Sequence, residues 1–263
     1  MTDRVIAVTR APTEALLRCR LTHLRREPID FNVAAQQHRA YEDALRTLGA
    51  EVVSLPPEDA LPDAVFVEDT ALVLDEIAVM MHPGAKSRVP EVQTVARVLK
   101  RYRTLEYITP PGTMDGGDVL RVGRTLFVGY SSRTNREAIE QLTALGARHG
   151  YAVTPVRVTG CLHLKSACTH VGEGTLVANR DWIAPQAFAS MRIIDVAEEE
   201  PGAANTFFVG ETLVMADNYP KTRERLERAG HPVHPVALTE LQKAEAGGSC
   251  MSLVFEEGHR TVS

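Results

Sequence analysis

The chain has 263 residues, 44% hydrophobic and 24% charged, enough to bury one large core or two small ones. A formal charge of −5 with no basic run argues against a nucleic-acid surface, and no apolar stretch approaches the ~20 residues needed to cross a bilayer. Four cysteines are too few for a disulfide framework, so a reducing, cytoplasmic setting is expected.

The start, Met1 to Arg10, reads as a charged strand-like segment without the apolar core of a secretory signal. Residues 18–27 are rich in charge and lack periodicity. They precede a helical segment at Phe31–Leu48 and read either as a lid over a site or as a plain solvated connection. A repeating shape follows. Residues 68–81, 117–129, 167–178 and 205–215 each read as two short strands around an acidic or glycine turn. After several of these hairpins comes a polar segment of helical period. Examples are Arg133–Leu145 and Pro220–Ala229, ending at Gly146 and Gly230 as helix C-termini often do.

From Asp69 to Asp118 is 49 residues, from Asp118 to Ala167 another 49, then 38 to Asn205 and 45 to Cys250. The last apolar run, Ser249–Phe255, lacks a hairpin partner, and so does the first, Val5–Val8. Pairing them would close a ring of five units and remove two exposed sheet edges. The competing architecture is an open α/β sheet.

The residues that carry chemistry sit where these repeats begin. Cys250 follows Gly247-Gly248-Ser249, an entry from which a thiol can face a cleft, although a single cysteine is more often core. His163 lies between two leucines, and alternation would turn its imidazole away from them. Cys161, His163, Cys168 and His170 also form a C-x-H-x4-C-x-H pattern, but structural zinc ligands usually come as C-x2-C and H-x3-5-H pairs. Asp115 and Asp118 flank two glycines, which is either a turn or a cation site without a recognisable calcium loop. Asp63, Glu68 and Asp69 bracket the apolar run 64–67, and a carboxylate at the end of a buried strand is a candidate cation ligand. Arg88 and Arg133 follow two hairpins at similar offsets and suit a carboxylate, because a guanidinium donates two parallel hydrogen bonds. Closing the ring would bring Asp69, Asp118, His163 and Cys250 to one axis.

Phe66-Val-Glu-Asp69, Pro83–Arg88, Asp115-Gly-Gly-Asp118, Ser132–Asn135, Leu162–Ser166 and Ser249–Ser252, in this order between about Val5 and Phe255, resemble the dimethylarginine dimethylaminohydrolase family of guanidino-group-modifying enzymes. The resemblance implies a five-bladed α/β propeller, the pentein fold, as one catalytic domain over residues 1–263. It implies Cys250 as nucleophile, His163 as general acid and base, and Asp115 as the carboxylate beside that histidine. Asp69, with Glu68 nearby, would hold the guanidinium. Asp63, Arg88, Arg133 and backbone carbonyls near Ala244 and Cys19 would hold the amino-acid end. The implied substrate is a small Nω-methylated L-arginine converted to L-citrulline without metal or organic cofactor. A homodimer is admitted as a partner, while nucleic acid and membrane are not. The rival readings are an arginine deiminase releasing ammonia, a noncatalytic pentein that binds a macromolecule, and a metallohydrolase.

Overall fold

A computed structural model describes residues 4–258. Its strands form five three-stranded sheets, each built in the same way. An inner strand pairs antiparallel with a middle strand, and the middle strand runs parallel to an outer one reached by a crossover. A parallel neighbour cannot be reached by a tight turn, so each unit needs that crossover.

The first unit contains β1 (Val5–Arg10), α1 (Phe31–Thr47) and β2 (Ala50–Leu55). The second is β3 (Ala71–Val73), β4 (Ile77–Met80), α2 (Val92–Leu99) and β5 (Thr104–Tyr107). The third is β6 (Val119–Val122), β7 (Thr125–Tyr130), α3 (Arg136–Ala147) and β8 (Ala152–Arg157). A short α4 (Leu164–Ala167) leads into the fourth, made of β9 (Cys168–His170), β10 (Thr175–Ala178) and β11 (Arg192–Asp195). The fifth is β12 (Phe207–Val209), β13 (Thr212–Ala216), α5 (Pro220–Arg228) and β14 (Val233–Val236). Then α6 (Thr239–Gln242) leads to β15 (Ser252–Glu256).

The ring closes as the unpaired ends require. β15 runs antiparallel to β1, with Val5 opposite Glu256 and Thr9 opposite Ser252. β1 runs parallel to β2, so the last strand of the chain completes the first unit. All four expected hairpins are present: β3 with β4, β6 with β7, β9 with β10, and β12 with β13.

Helices pack against the sheets with their apolar faces inward. Asp30 caps α1 by accepting from the amides of Asn32 and Val33 at 2.9 and 3.1 Å, and Tyr41 and Leu45 on its inner face are fully buried. A core side chain of that size contributes roughly 1.5–3 kcal/mol of burial.

One sequence expectation needs correction. Gly146 does not end α3, which runs on to Ala147. A Cβ at Gly146 would stand 3.3 Å from that of Tyr151, so this glycine serves close packing, and the left-handed turn falls at Gly150 with φ +74°. The fourth unit crosses over through two 3-10 turns, Arg180–Trp182 and Pro185–Phe188, instead of a helix.

Candidate active site

Each inner strand is entered through a short turn near the ring axis, and these turns carry the polar residues. Asp69 lies in the 3-10 turn Val67–Thr70 ahead of β3. Asp115 precedes the turn Gly116–Asp118 ahead of β6. His163 is the extended residue that opens α4 ahead of β9. Cys250 stands two residues before β15. The alternation expected around His163 is therefore corrected: the residue is a helix-entry position and not part of a strand.

The turns are tied to one another round the axis. The Gly117 amide donates to Asp69 Oδ1 at 3.1 Å, the Leu164 amide donates to Asp118 Oδ1 at 3.0 Å, and the Glu68 amide donates to the Cys250 carbonyl at 3.2 Å. The paired glycines after Asp115 make this closeness sterically allowed. A Cβ at Gly116 would lie 2.1 Å from the Glu68 carbonyl oxygen, and one at Gly117 would lie 2.6 Å from His163 Nδ1 and 2.8 Å from Asp69 Oδ1. Any side chain there would separate the imidazole from the carboxylate.

His163 is buried among acids. Its Nε2 donates to Asp115 Oδ2 at 3.1 Å, and its Nδ1 lies 3.7 Å from Asp69 Oδ1. Burial pulls the imidazole down, but Asp69, Asp115 and Asp118 together outweigh it and raise its pKa to about 9. At neutral pH the ring is an imidazolium. Burial alone would raise the Asp69 carboxyl, and the His163 and Arg88 cations reverse this and hold it at about 2.

Cys250 is half-buried and accepts a hydrogen bond from the Gly247 amide at 3.1 Å. Burial and the nearby Glu68 and Asp69 carboxylates push its thiol well above the ordinary range. It is therefore protonated at neutral pH until a cation offsets that negative field.

One pocket, with a cavity of about 20 Å³, is lined by Cys250, His163, Asp69, Asp63, Arg88 and Arg133, and Ala244 lies at its edge. Seven of the nine site residues expected from sequence thus face one space. Asp115 sits just behind it, fully buried against His163, with Oδ1 accepting from the Gly84 amide at 2.9 Å. Glu68 is the exception among the expected substrate-binding residues. Its carboxylate turns away, with Oε1 2.5 Å from Lys165 Nζ and Oε2 accepting from Ser249 Oγ at 2.9 Å.

Arg88 is braced more heavily than its sequence position indicated. Nη1 donates to Asp69 Oδ2 at 2.5 Å, Nε and Nη2 donate to Glu91 Oε2 at 3.0 and 2.9 Å, and Nη2 also donates to the Phe66 carbonyl at 2.9 Å. Sequence reasoning missed Glu91; its only signal was a spacing of three residues from Arg88. Arg133 reaches Asp115 Oδ2 at 3.4 Å and Thr22 Oγ1 at 3.0 Å.

The 18–27 segment lies over this pocket. Arg20 lines it, and the Arg20 amide donates to Asp63 Oδ1 at 3.0 Å. The Cys19 carbonyl accepts from Arg26 Nη2 at 2.5 Å. Among the described residues, the group able to surround a metal ion is Asp69, Asp115 and His163, which takes in His163 but not Cys161, Cys168 or His170 of the C-x-H-x4-C-x-H pattern. Cys161 Sγ instead donates to the His163 carbonyl.

Five three-stranded units around one axis, with a thiol, an imidazole and paired carboxylates in one axial pocket, define a pentein of the guanidino-group-modifying hydrolases. The family model described as "N,N dimethylarginine dimethylhydrolase, eukaryotic" matches residues 23–200. N(G),N(G)-dimethylarginine dimethylaminohydrolase of Pseudomonas aeruginosa is 37% identical over 228 residues, 86% of this chain and 90% of that one. The protein of the same name from Streptomyces coelicolor is 37% identical over 253 residues, 95% of this chain and 97% of that one. The structure of the Pseudomonas aeruginosa enzyme, as a cysteine-to-serine mutant complexed with citrulline, aligns with a TM-score of 0.91 at 35% identity, covering 97% of this chain and 100% of that one. The N-terminal domain of ArgZ, a cyanobacterial arginine dihydrolase, shares the fold at 20% identity with a TM-score of 0.82, over 97% of this chain and 99% of that domain. The chain belongs to the dimethylarginine dimethylaminohydrolase family.

Proposed function

We propose that this chain hydrolyses Nω-methylated L-arginine, asymmetric dimethylarginine or monomethylarginine, to L-citrulline and dimethylamine or methylamine, as a single catalytic domain. The observation that carries the reading is the one pocket shared by Cys250, His163, Asp69, Asp63 and Arg133.

A guanidinium is a resonance-stabilised cation and a poor electrophile. Asp69 holds it by charge-assisted hydrogen bonds, with Asp115 behind His163, and sets its carbon before Cys250. The bound cation offsets the carboxylate field that keeps the thiol protonated, so the proton leaves to solvent and the thiolate forms where it is needed. Sulfur attacks the central carbon to give a tetrahedral adduct. The His163 imidazolium, already charged in the folded protein, gives its proton to the departing amine. The S-alkylthiouronium left on Cys250 is then attacked by water, whose proton the now neutral His163 accepts, and collapse to citrulline releases the sulfur.

The substrate's carboxylate meets Arg133, and its amine meets Asp63 and the Ala244 carbonyl. Arg88 mainly orients Asp69, with the second N–H of Nη1 left for the carboxylate. Glu68 contributes through its backbone tie to Cys250 and not through its carboxylate. The chemistry asks for no metal, since the carbon already carries positive charge. Among the described residues no helix is long and apolar enough to cross a membrane, and the proposed setting is the cytoplasm.

Parallel turnover of asymmetric dimethylarginine, monomethylarginine and arginine, with and without chelator and read as citrulline, tests this. Methylated substrates should be preferred and chelator should be without effect. A preference for arginine would make the protein a deiminase, and loss of activity with chelator would make it a metallohydrolase.

A further inference from the structure

Between α6 and Cys250 the chain passes through Glu245, whose φ of +62° lies in the left-handed region that favours glycine. A non-glycine residue persists there when its surroundings hold it. The holding contacts lie 221 to 223 residues away in sequence. The Glu245 carboxylate accepts from three successive amides of the segment over the pocket: Thr22 at 2.9 Å, His23 at 2.5 Å and Leu24 at 2.7 Å, all to Oε1, with Oε2 3.0 Å from the Thr22 amide. Consecutive amides converging on one anion form a nest, an arrangement that commonly binds phosphate or carboxylate.

The same segment is fixed at two other points, by the Arg20 amide on Asp63 and by Thr22 Oγ1 on Arg133. In the reading above both of those anchors also serve the amino-acid end of the substrate. Glu245 is the anchor without that second duty, and it sits five residues from Cys250 on the same stretch of chain.

We propose that Glu245 is a positioning residue, a latch that keeps residues 20–24 closed over the pocket while Asp63 and Arg133 are engaged by substrate. The inference rests on the substrate reading only for what Asp63 and Arg133 do; the latch itself rests on the three amide contacts. Closure over the pocket would keep water from the cation until the amine has left.

The test compares the intact wild type with Glu245→Ala and Glu245→Gln. Amide hydrogen exchange is read at Thr22, His23 and Leu24, and steady-state kinetics are taken with asymmetric dimethylarginine. In Glu245→Ala, protection at those amides should fall by about a hundredfold, because a charged acceptor is lost. Over the same change kcat/KM should fall about tenfold, with KM rising by more than kcat falls. Glu245→Gln keeps one acceptor oxygen on an arm of equal length and should recover part of both losses. It also carries the test should the alanine variant fail to fold. Wild-type protection at residues 22–24 in the variants, or lost protection with KM unchanged, would overturn the latch. A wild type that turns over no methylarginine would instead end the substrate reading, and the exchange comparison would still decide the latch.

Discussion

The ring has two openings along its axis, and the larger is not the one that gathers the residues of the proposed chemistry. The cavity of about 460 Å³ is lined by the bodies of the inner strands β3, β6, β9, β12 and β15, with Glu68 and Lys165 at its inner end and Arg121 and Asp75 at its rim. The pocket of about 20 Å³ is lined by the turns that lead into those strands and by the segment folded over them. Adjacent residues separate the two: Glu68 faces the large cavity and Asp69 the small pocket. What sets the small one apart is convergence. It gathers a half-buried thiol, a histidine held charged by buried acids, and acids and arginines within hydrogen-bond reach of one another. The large one offers ion pairs already satisfied, Glu68 with Lys165 and Asp75 with Arg121, together with hydroxyls and strand edges. Reactivity follows desolvated charge at the strand entries and not open volume.

That contrast can be broken most sharply at Cys250. Cys250→Ser should lower turnover by at least about a thousandfold while substrate binding persists, because a serine hydroxyl is a far weaker nucleophile than a thiolate at neutral pH. Isothermal titration beside a citrulline assay measures both parts. Equal loss of binding and turnover would show that the residue shapes the pocket without attacking.

Replacing His163 by Gly should cost about a hundred- to ten-thousandfold in kcat, as expected for a group that moves a proton in both steps. In the wild type, kcat/KM should fall on an alkaline limb near the His163 pKa of about 9, as the imidazolium is lost from the free protein. The stability sign follows from the same shift. Its pKa is raised above the ordinary 6.5, so its contribution is fully present below pH 6.5 and is lost as pH rises through about 9. Chemical denaturation across that range should show wild type losing stability that His163→Gly does not lose.

The two arginines should part company. Arg133→Ala should leave the fold intact and weaken methylarginine by about 1.5–3 kcal/mol, roughly ten- to a hundredfold in kcat/KM, while simple alkylguanidines are almost unaffected. Arg88→Ala strands the buried Glu91 carboxylate and leaves Asp69 with His163 as its remaining counter-charge, and leaving a buried charge unpaired costs about 3–5 kcal/mol. It should therefore lower Tm and impair both substrate types. A stable Arg88→Ala that discriminates as Arg133→Ala does would assign Arg88 to the substrate's carboxylate alone.

The smallest effect belongs to the rim of the large cavity. Arg121 pairs with Asp75 at 2.7 Å, both partly exposed, and exposed pairs contribute about 0–1 kcal/mol. Arg121→Ala should leave kcat/KM within twofold. A tenfold loss would connect the large cavity to the chemistry.

Much of this was legible before any coordinates. The hairpins, the near-regular spacing and the two partnerless terminal strands pointed to a closed ring beside an open α/β sheet, because strand period and turn chemistry are local properties, and the family resemblance decided between the two. Asp69, Asp118, His163 and Cys250 were legible as a set because each occupies the same place in its repeat, whereas Asp115 as the partner of His163 came only from the family resemblance. Which way a carboxylate points is not local. Glu68 and Asp69 are adjacent acids, and only the position of Lys165, nearly a hundred residues on, turns one of them from the pocket. The bracing of Arg88 by Glu91 and the three amides on Glu245 are likewise long-range or side-chain facts without a periodic signature. Gly146 misled because a glycine near a helix end reads as a cap, whereas here it makes room for Tyr151.

The central claim is that carbon is transferred to sulfur at Cys250. Rapid quench during turnover of asymmetric dimethylarginine, followed by peptide mass spectrometry, tests it most directly, and slowing the second step with His163→Gly should help the adduct accumulate. The account predicts a covalent adduct on the peptide containing Cys250. An adduct on Cys19, Cys161 or Cys168, or citrulline formed at full rate with every cysteine unmodified, would contradict it.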